Sequence, residues 1–382
     1  MAASVEVIRG TERKITDEMV SQVQAEIGKE YPSKDQYNTE ATLDNIRHWA
    51  NGIGDLNPLW HDHDYAKSTS YGGIIAPPTF LYSCSGRAGL QGFPGIHTMH
   101  LGDDWIFYRP IRLGMKITVT GGVHSLTEKK TSFAGRAYLQ THFRHFRNEN
   151  QQLLATMYLN QMRTERNTAS RTKRYQSQIE PYTEEQLEAV WKGIEAETVR
   201  GNVPRYWQDV QVGDEPPPLA KGPLTMSDVV AFKMGWGSHF VHHIRANEHR
   251  YWYVKRHPDL PIRNRLNVPD CPEAVHMLSD TAKAIGVPRW YDYGPQREGW
   301  FGHLVTNWMG DDGQMMELRV ALRKPNLEGD VQWIKGKVTT KQIDAQGRHV
   351  VGLDLWSENQ NKVVTATGTA TVCLPSSPDG RR

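Results

Sequence analysis

Cysteine is scarce in this chain of 382 residues, which has only Cys84, Cys271 and Cys373. Three widely spaced cysteines form neither a disulfide framework nor a cysteine-based zinc site, and they indicate a reducing compartment. Long apolar runs are missing as well, since no stretch approaches the ~18 apolar residues of a membrane span. The first nine residues, which include Glu6 and Arg9, lack the uninterrupted apolar segment of a signal peptide. We therefore expect a cytoplasmic protein without a membrane partner.

An excess of charge of one sign is also absent, because 45 basic and 43 acidic residues give a formal net charge of +2. No face need be broadly basic, and this argues against nucleic acid as a partner. Hydrophobic residues make up 38% of the chain and charged residues 23%, as in a soluble globular protein. The length suits two domains of about 150–200 residues, each with its own core.

The chain contains a divergent internal repeat. Residues 42–54 align with residues 225–237: both begin at Thr, place apolar residues at helical spacing and end in Gly-x-Gly. Residues 109–114 align with 324–329, so the second copy carries roughly 32 extra residues, which we place within 244–289. Each copy ends in β-type sequence broken by polar turns. The pattern predicts an α+β fold in which a helix lies against one face of an antiparallel sheet.

An acid and an imidazole stand six positions apart on one loop of the first copy. Asp55 and His61 flank Asn57 and Pro58, and a Pro pair ending at Pro78 starts the next predicted helix. A carboxylate and an imidazole can together activate one water near neutral pH. The simpler alternatives are that Asp55 only caps a turn and that His61 is a surface residue. The His/Asp alternation that follows lacks a distant third ligand, so we predict no metal there.

Residues 54–62 resemble the (R)-specific enoyl-CoA hydratase signature Gly-Asp-x-Asn-Pro-(aliphatic)-His of the MaoC-like dehydratases, with Trp60 inserted before the histidine. Residues 206–214 look like the start of a second such domain, and residues 291–313 resemble a two-domain subgroup. The resemblance implies two tandem hot-dog domains, each a long central helix wrapped by an antiparallel β-sheet. It divides the chain into domains at 1–165 and 206–382, the second with the insertion near 244–289, joined by a linker at 166–205 with one helix. The two sheets should form one continuous surface.

The resemblance implies that the protein is a hydro-lyase that acts on a 2-enoyl or 3-hydroxyacyl thioester. The expected substrate is an acyl-CoA, and no cofactor is expected. Asp55 and His61, with Asn57 in the motif, would activate the water. In the second copy His243 aligns with Trp60, which makes His243 a secondary catalytic candidate. Arg109 is a candidate contact for a CoA phosphate.

The resemblance also implies that a backbone N–H at the start of the central helix stabilises the thioester oxygen. Pro78 has no N–H, so we expect Thr79, or Tyr293 or Arg297 from the other half, to supply the donor. Gly294 stands where such hydratases have a glycine and is another secondary candidate.

Two other functions remain open at this point. The chain could be a non-catalytic acyl-binding subunit that needs a related dehydratase subunit, or it could be a hot-dog thioesterase that directs water at the carbonyl. A homodimer is the other expected assembly. Several types of acyl group suit a pocket rich in Trp and Met.

Overall fold

The structure, a computed structural model, describes residues 14–34, 36–130, 135–165, 180–237, 248–256, 262–264, 266–270 and 272–378. Within these ranges the α-helices are α1 (Asp17–Gln24), α2 (Leu43–Ile53), α3 (His63–Ser68), α4 (Leu81–Cys84), α5 (Glu184–Glu195), α6 (Met226–Trp236), α7 (Glu248–Arg256), α8 (Ser279–Ala284) and α9 (Gly294–Met309). Short 3-10 helices occur at Pro58–Trp60, Pro78–Phe80, Trp207–Asp209 and Pro272–His276. None of the helices in the described ranges has the length and apolar character to cross a membrane.

The strands, in the same ranges, are β1 (Tyr31–Pro32), β2 (Ile75–Ala76), β3 (His97–Phe107), β4 (Ile111–Arg112), β5 (Thr118–Glu128), β6 (Ala137–Arg147), β7 (Leu153–Thr164), β8 (Leu219–Lys221), β9 (Ile262–Arg263), β10 (Pro269–Asp270), β11 (Gln314–Leu322), β12 (Gln332–Ile343), β13 (His349–Asn359) and β14 (Val364–Cys373). Ten of them form one sheet in the order β1-β5-β6-β7-β3-β11-β14-β13-β12-β8. Its central pair joins the halves, since Trp105 of β3 faces Leu318 of antiparallel β11. The predicted α+β class and continuous sheet are therefore confirmed.

The two copies of the repeat form α2 and α6, which pack against each other across the molecule. The Thr42 side chain caps α2 and Gly54 ends it with φ 67°, while Gly237 ends α6 with φ 60°. The close approach of α2 to α6 also requires a glycine, at position 52. A Cβ on Gly52 would lie 3.1 Å from the carbonyl oxygen of Ala231, so a larger residue would push the helices apart.

The central helices of the two halves differ in length. Helix α9 has 16 residues and is buried almost throughout. Its counterpart begins at Pro78, as predicted, but contains only the 3-10 helix and the four residues of α4. It stops there because the chain turns to pair Arg87 with Lys34, with N–H to carbonyl distances of 2.7 and 2.9 Å. The expectation of a long central helix is thus met in the second half only.

The predicted linker helix is present as α5, and Thr183 and Gln186 form the expected capping box. Of the predicted insertion at 244–289, the described residues include α7, the small sheet of β9 and β10, and α8. The domain boundaries at 165 and 205 remain an interpretation of the sequence.

Candidate active site

Asp55 lies buried where α2 ends. Its backbone N–H donates to the carbonyl of Ala50 (2.8 Å), which closes the turn after Gly54. Only 1% of the residue is exposed. Oδ1 accepts the backbone N–H of Asn57 at 3.1 Å, whereas Oδ2 has no hydrogen-bond partner among the described residues. A buried carboxylate oxygen without a donor is costly, and such atoms are common where a site binds a reacting group.

The histidine that meets Asp55 comes from the second half. His303 is buried in α9, and its Nε2 lies 3.6 Å from Asp55 Oδ1 and 2.8 Å from Glu197 Oε1. Glu197 follows α5 and therefore belongs to the predicted linker. Burial raises the pKa of Glu197, but the adjacent His303 imidazole, with help from Lys221 and from the hydrogen bond that Asn307 Nδ2 donates (3.0 Å), outweighs it and leaves this pKa below its ordinary value. The imidazole thus lies between two carboxylates.

His61 does not join this group. It is exposed at the end of the 3-10 helix Pro58–Trp60, and within the described ranges it forms no ion pair with Asp55. The local turn explains the error. The Asn57 side chain caps it by accepting the N–H of Leu59 (3.0 Å), and Leu59 and Trp60 then point into the core. Trp60 takes the inward position five residues after Asp55, where the hydratase signature has its histidine, and His61 faces solvent.

A second acid borders the same site. Asp311, at the end of α9, accepts hydrogen bonds from Asn57 Nδ2 (3.2 Å) and from the Tyr65 hydroxyl (2.7 Å). Burial raises the pKa of Asp311 above its ordinary value although both donors favour the carboxylate. Asn57 therefore links the Asp55 loop to the second half.

A cavity of about 310 Å³ opens beside this network, between the two halves. Its volume is at the small end of the range for ligand pockets. Its walls include the apolar side chains of Leu59, Trp60, Ile75, Pro78, Phe107, Ile111, Met309 and Met315, and the polar residues Asn57, Ser70, Tyr71, Thr306, Asp311, Asp312 and Gln314. Asp55 and His303 are not among the lining residues but are bonded to two of them: Asp55 Oδ1 accepts the N–H of Asn57, and the His303 carbonyl accepts the Thr306 hydroxyl (3.1 Å each).

Two arginines line the same cavity from exposed positions. Arg112 donates to the carbonyl oxygen of Tyr71 (2.8 Å), and Arg109 donates to that of Leu153 (3.2 Å). An arginine offers five N–H donors, so each guanidinium can also meet an anionic group. Arg109 thus lines the cavity, and its contact with a CoA phosphate stays a prediction.

Thr79 is not among the residues that line the cavity, although Pro78 is. It is buried, and its hydroxyl accepts a hydrogen bond from Trp49 Nε1 (3.3 Å). The next amide, that of Phe80, donates to the carbonyl of Pro77 (2.9 Å). The hydroxyl of Thr79 is thus directed at α2, and the prediction that its backbone N–H serves the pocket stays a prediction.

The other predicted contributors lie at the opposite end of α9. Nine residues separate Gly294 from His303, which is about 13 Å along a helix. Arg297 binds Asp292 through two hydrogen bonds of 2.6 and 2.8 Å, and the Tyr293 hydroxyl donates to Glu273 (3.1 Å). None of the three lines the cavity.

Gly294 is required for packing, because a Cβ there would collide with the imidazole of His100. The structure therefore corrects the expectation that Tyr293 or Arg297 would reach Asp55, and a donor role for Gly294 stays a prediction. His243 lies outside the described residues.

Sequence reasoning missed His303 and Glu197. Neither stands in a recognisable local motif, and each meets Asp55 or its partner only through the association of the two halves. The block at 291–313 contains His303 and was singled out only by its resemblance to a subgroup.

Comparison with known proteins gives consistent likenesses. Residues 25–157 match the family model described as FAS1-like, dehydratase domain region. A UPF0336 protein of Streptomyces avermitilis is 33% identical over 110 residues, which cover 27% of this chain and 72% of that relative. A solved structure described as a MaoC-like dehydratase matches with a TM-score of 0.63 and 17% identity, over 93% of this chain and 100% of that one. A conserved hypothetical protein of Mycobacterium tuberculosis, described as having a double hotdog fold, matches with a TM-score of 0.50 and 11% identity, over 91% of this chain and 96% of that one.

The fold is therefore the double hot-dog architecture found in MaoC-like dehydratases, as the resemblance implied. The chain belongs to the family of the UPF0336 proteins. Together with the dehydratase domain model matched by the first half, these likenesses support a function of the hydratase or dehydratase type.

Proposed function

We propose that the protein is a hydro-lyase that adds water to a 2-enoyl thioester, or removes it from a 3-hydroxyacyl thioester, with acyl-CoA as the substrate. The observation that carries the proposal is the meeting of Asp55 and His303, from opposite halves, behind the wall of the cavity between those halves. At a separation of 3.6 Å, the carboxylate and the imidazole can both contact a single water oxygen.

The proton transfers follow from this arrangement. Asp55 Oδ2, the oxygen without a partner, accepts a proton from water while the water oxygen bonds to C3 of the enoyl group. His303 then supplies a proton to C2 on the same face, which gives syn addition. Transfer of the Asp55 proton to His303 restores the pair. Glu197 Oε1, 2.8 Å from Nε2, would hold the imidazole in position, the role of the third group in many acid-base sites.

The cavity gives the thioester an orientation. The apolar walls suit the acyl chain, and Arg109 and Arg112 suit the phosphates of a CoA moiety by charge and hydrogen-bonding geometry. The reacting carbons must then pass between Asn57 and Thr306, the wall residues next to the catalytic pair. Small substitutions at Thr306 should therefore affect turnover more than binding.

A second function is favoured by one specific observation. Trp60 occupies the inward position of the signature histidine, and His61 is exposed. A hot-dog protein that had lost its histidine in this way would serve as an acyl-binding subunit, and catalysis would depend on a related dehydratase subunit.

The deciding experiment is a hydration assay over a panel of enoyl-CoA esters with mass analysis of the products. We expect a 3-hydroxyacyl-CoA product, a loss on the order of 100-fold or more for Asp55→Asn, and near wild-type rates for His61→Ala. The second variant is the matched control, because it changes an exposed residue of the same loop. Free acid and thiol as products would identify a thioesterase. Activity that appears only with an added dehydratase subunit would identify a binding subunit.

A further inference from the structure

A second cluster of ionisable residues lies near the start of α9, away from the candidate active site. It combines His100 and Asp103 of β3 with Glu298 of α9, so it spans the two halves of the molecule. His100 Nε2 is 2.9 Å from Glu298 Oε1 and 3.7 Å from Asp103 Oδ1. The three ligand-type atoms all lie within 4.8 Å of one another.

The backbone of β3 is shaped to build this cluster. Residues 100 and 103 would face opposite sides of a regular strand, because side chains alternate. The register against β7 shifts between His100 and Gly102, and this bulge turns both side chains toward Glu298. Gly102 has φ 122°, and a Cβ there would collide with the carbonyl oxygen of Val320, so the bulge depends on glycine.

The side chain of this cluster that lacks a hydrogen-bond partner is Asp103. The residue is 1% exposed, and neither carboxylate oxygen has a hydrogen-bond partner among the described residues. Tyr82 has a single hydroxyl proton, which it donates to Glu298 Oε2. That bond leaves Glu298 Oε1 directed at His100 and Asp103. One proton shared between the acids would satisfy only one of the two Asp103 oxygens.

Among the described residues, neither nearby arginine forms an ion pair with Asp103 or Glu298. The Arg297 guanidinium is committed to Asp292, and that of Arg144 donates to the carbonyl oxygens of Gly86 and Phe143.

We infer that His100, Asp103 and Glu298 form a binding site for a divalent transition-metal ion that ties the two halves together. An ion with bonds of ~2.0–2.1 Å to imidazole and carboxylate holds its ligand atoms roughly 3.0–3.4 Å apart. The distances from His100 Nε2 to Glu298 Oε1 (2.9 Å) and to Asp103 Oδ1 (3.7 Å) lie on either side of this spacing. One nitrogen with two carboxylates suits Zn²⁺, Mn²⁺ or Fe²⁺ better than Ca²⁺, which takes 6–8 oxygen ligands. The ion would balance both acids with His100 neutral, and Tyr82 would orient Glu298 from outside the ligand set.

The test measures metal binding directly and needs no knowledge of the reaction. Untagged full-length protein is stripped with a chelator and titrated with Zn²⁺, Mn²⁺ and Co²⁺, with Co²⁺ absorption and thermal unfolding as readouts. We expect one ion per chain and a Tm that rises with ion concentration, as linkage requires. Asp103→Asn and His100→Gln should each weaken binding at least ~10–100-fold.

Asp104→Asn is the matched control, because Asp104 is the next residue of β3 and bonds to Asn160 instead (3.4 Å). It should bind the ion as the wild type does. Failure of the wild type to bind any of the three ions at about 100-fold excess over protein would overturn the inference. Equal affinity in the wild type, Asp103→Asn and His100→Gln would overturn it too. Because no turnover is measured, either outcome is separate from the proposed hydratase function.

Discussion

Replacing Arg297 tests whether this residue supports the fold or binds substrate. Its guanidinium donates to both oxygens of Asp292 and to the carbonyl of Lys324 (2.6 Å), and the two side chains are 3% and 0% exposed. Arg297→Leu leaves a buried carboxylate without its partner, a change that costs about 3–5 kcal/mol of unfolding free energy. With an unfolding entropy of ~2.1 cal/mol/K per residue, that loss lowers Tm by about 4–6 °C if the whole chain unfolds together. Unfolding of the second half alone would roughly double the shift.

The assay is thermal and urea unfolding followed by circular dichroism, with KM measured on the same samples. Asp292→Leu should cost a similar amount, and the double variant should recover most of the loss because no buried charge remains. Arg109→Leu, an exposed arginine in the cavity wall, is the control and should leave Tm nearly unchanged. If Arg297→Leu were as stable as the wild type but had a raised KM, Arg297 would be a substrate ligand and the structural role would be wrong.

Three further changes test other parts of the molecule. Trp60→Phe should enlarge the cavity and shift kcat/KM toward bulkier acyl groups, measured over a chain-length series; unchanged selectivity would contradict its place in the acyl wall. Arg109→Ala combined with Arg112→Ala should raise KM several-fold for CoA esters but not for short thioesters that lack phosphates, and the effect should fade at high salt; equal effects on both substrates would contradict phosphate contact. His142 is buried, and burial followed by the charges of Arg144 and Arg163 lowers its pKa from 6.5 to about 3. Its contribution to stability is therefore present above pH 6.5 and is lost as pH falls from 6.5 toward 3, by up to about 1.4 kcal/mol per pH unit; urea unfolding at several pH values should show that His142→Leu flattens this slope.

The parts of the fold that sequence reasoning predicted well rest on local signals. Thr42 before α2 and the glycines that end α2 and α6 act within a single helical turn, so their sequence pattern is sufficient. The capping box of Thr183 and Gln186 is equally local. The continuous sheet followed from the repeat, because two half-sheets of one fold would otherwise each leave an open edge.

The candidate site was only partly predictable, because half of it is not local. Asp55 and Asn57 lie where the motif suggested, buried and hydrogen-bonded. Spacing alone did not reveal that the 3-10 turn points Trp60 inward and His61 outward. His303 and Glu197 reach Asp55 only after α9 and the segment beyond α5 pack against the first half, and no pattern near either residue signals that contact.

The central claim is that the two halves together build one acid-base pair, and a double-mutant cycle on kcat/KM tests it most directly. The variants are Asp55→Asn, His303→Gln and their combination, with His61→Ala as control and unfolding curves to confirm that each protein is folded. Groups that act as a unit have non-additive effects. We therefore predict that each single change lowers kcat/KM on the order of 100-fold or more, that the combination is little worse than either, and that His61→Ala is nearly silent. A His303→Gln protein with near wild-type activity, beside an inactive His61→Ala protein, would contradict the account.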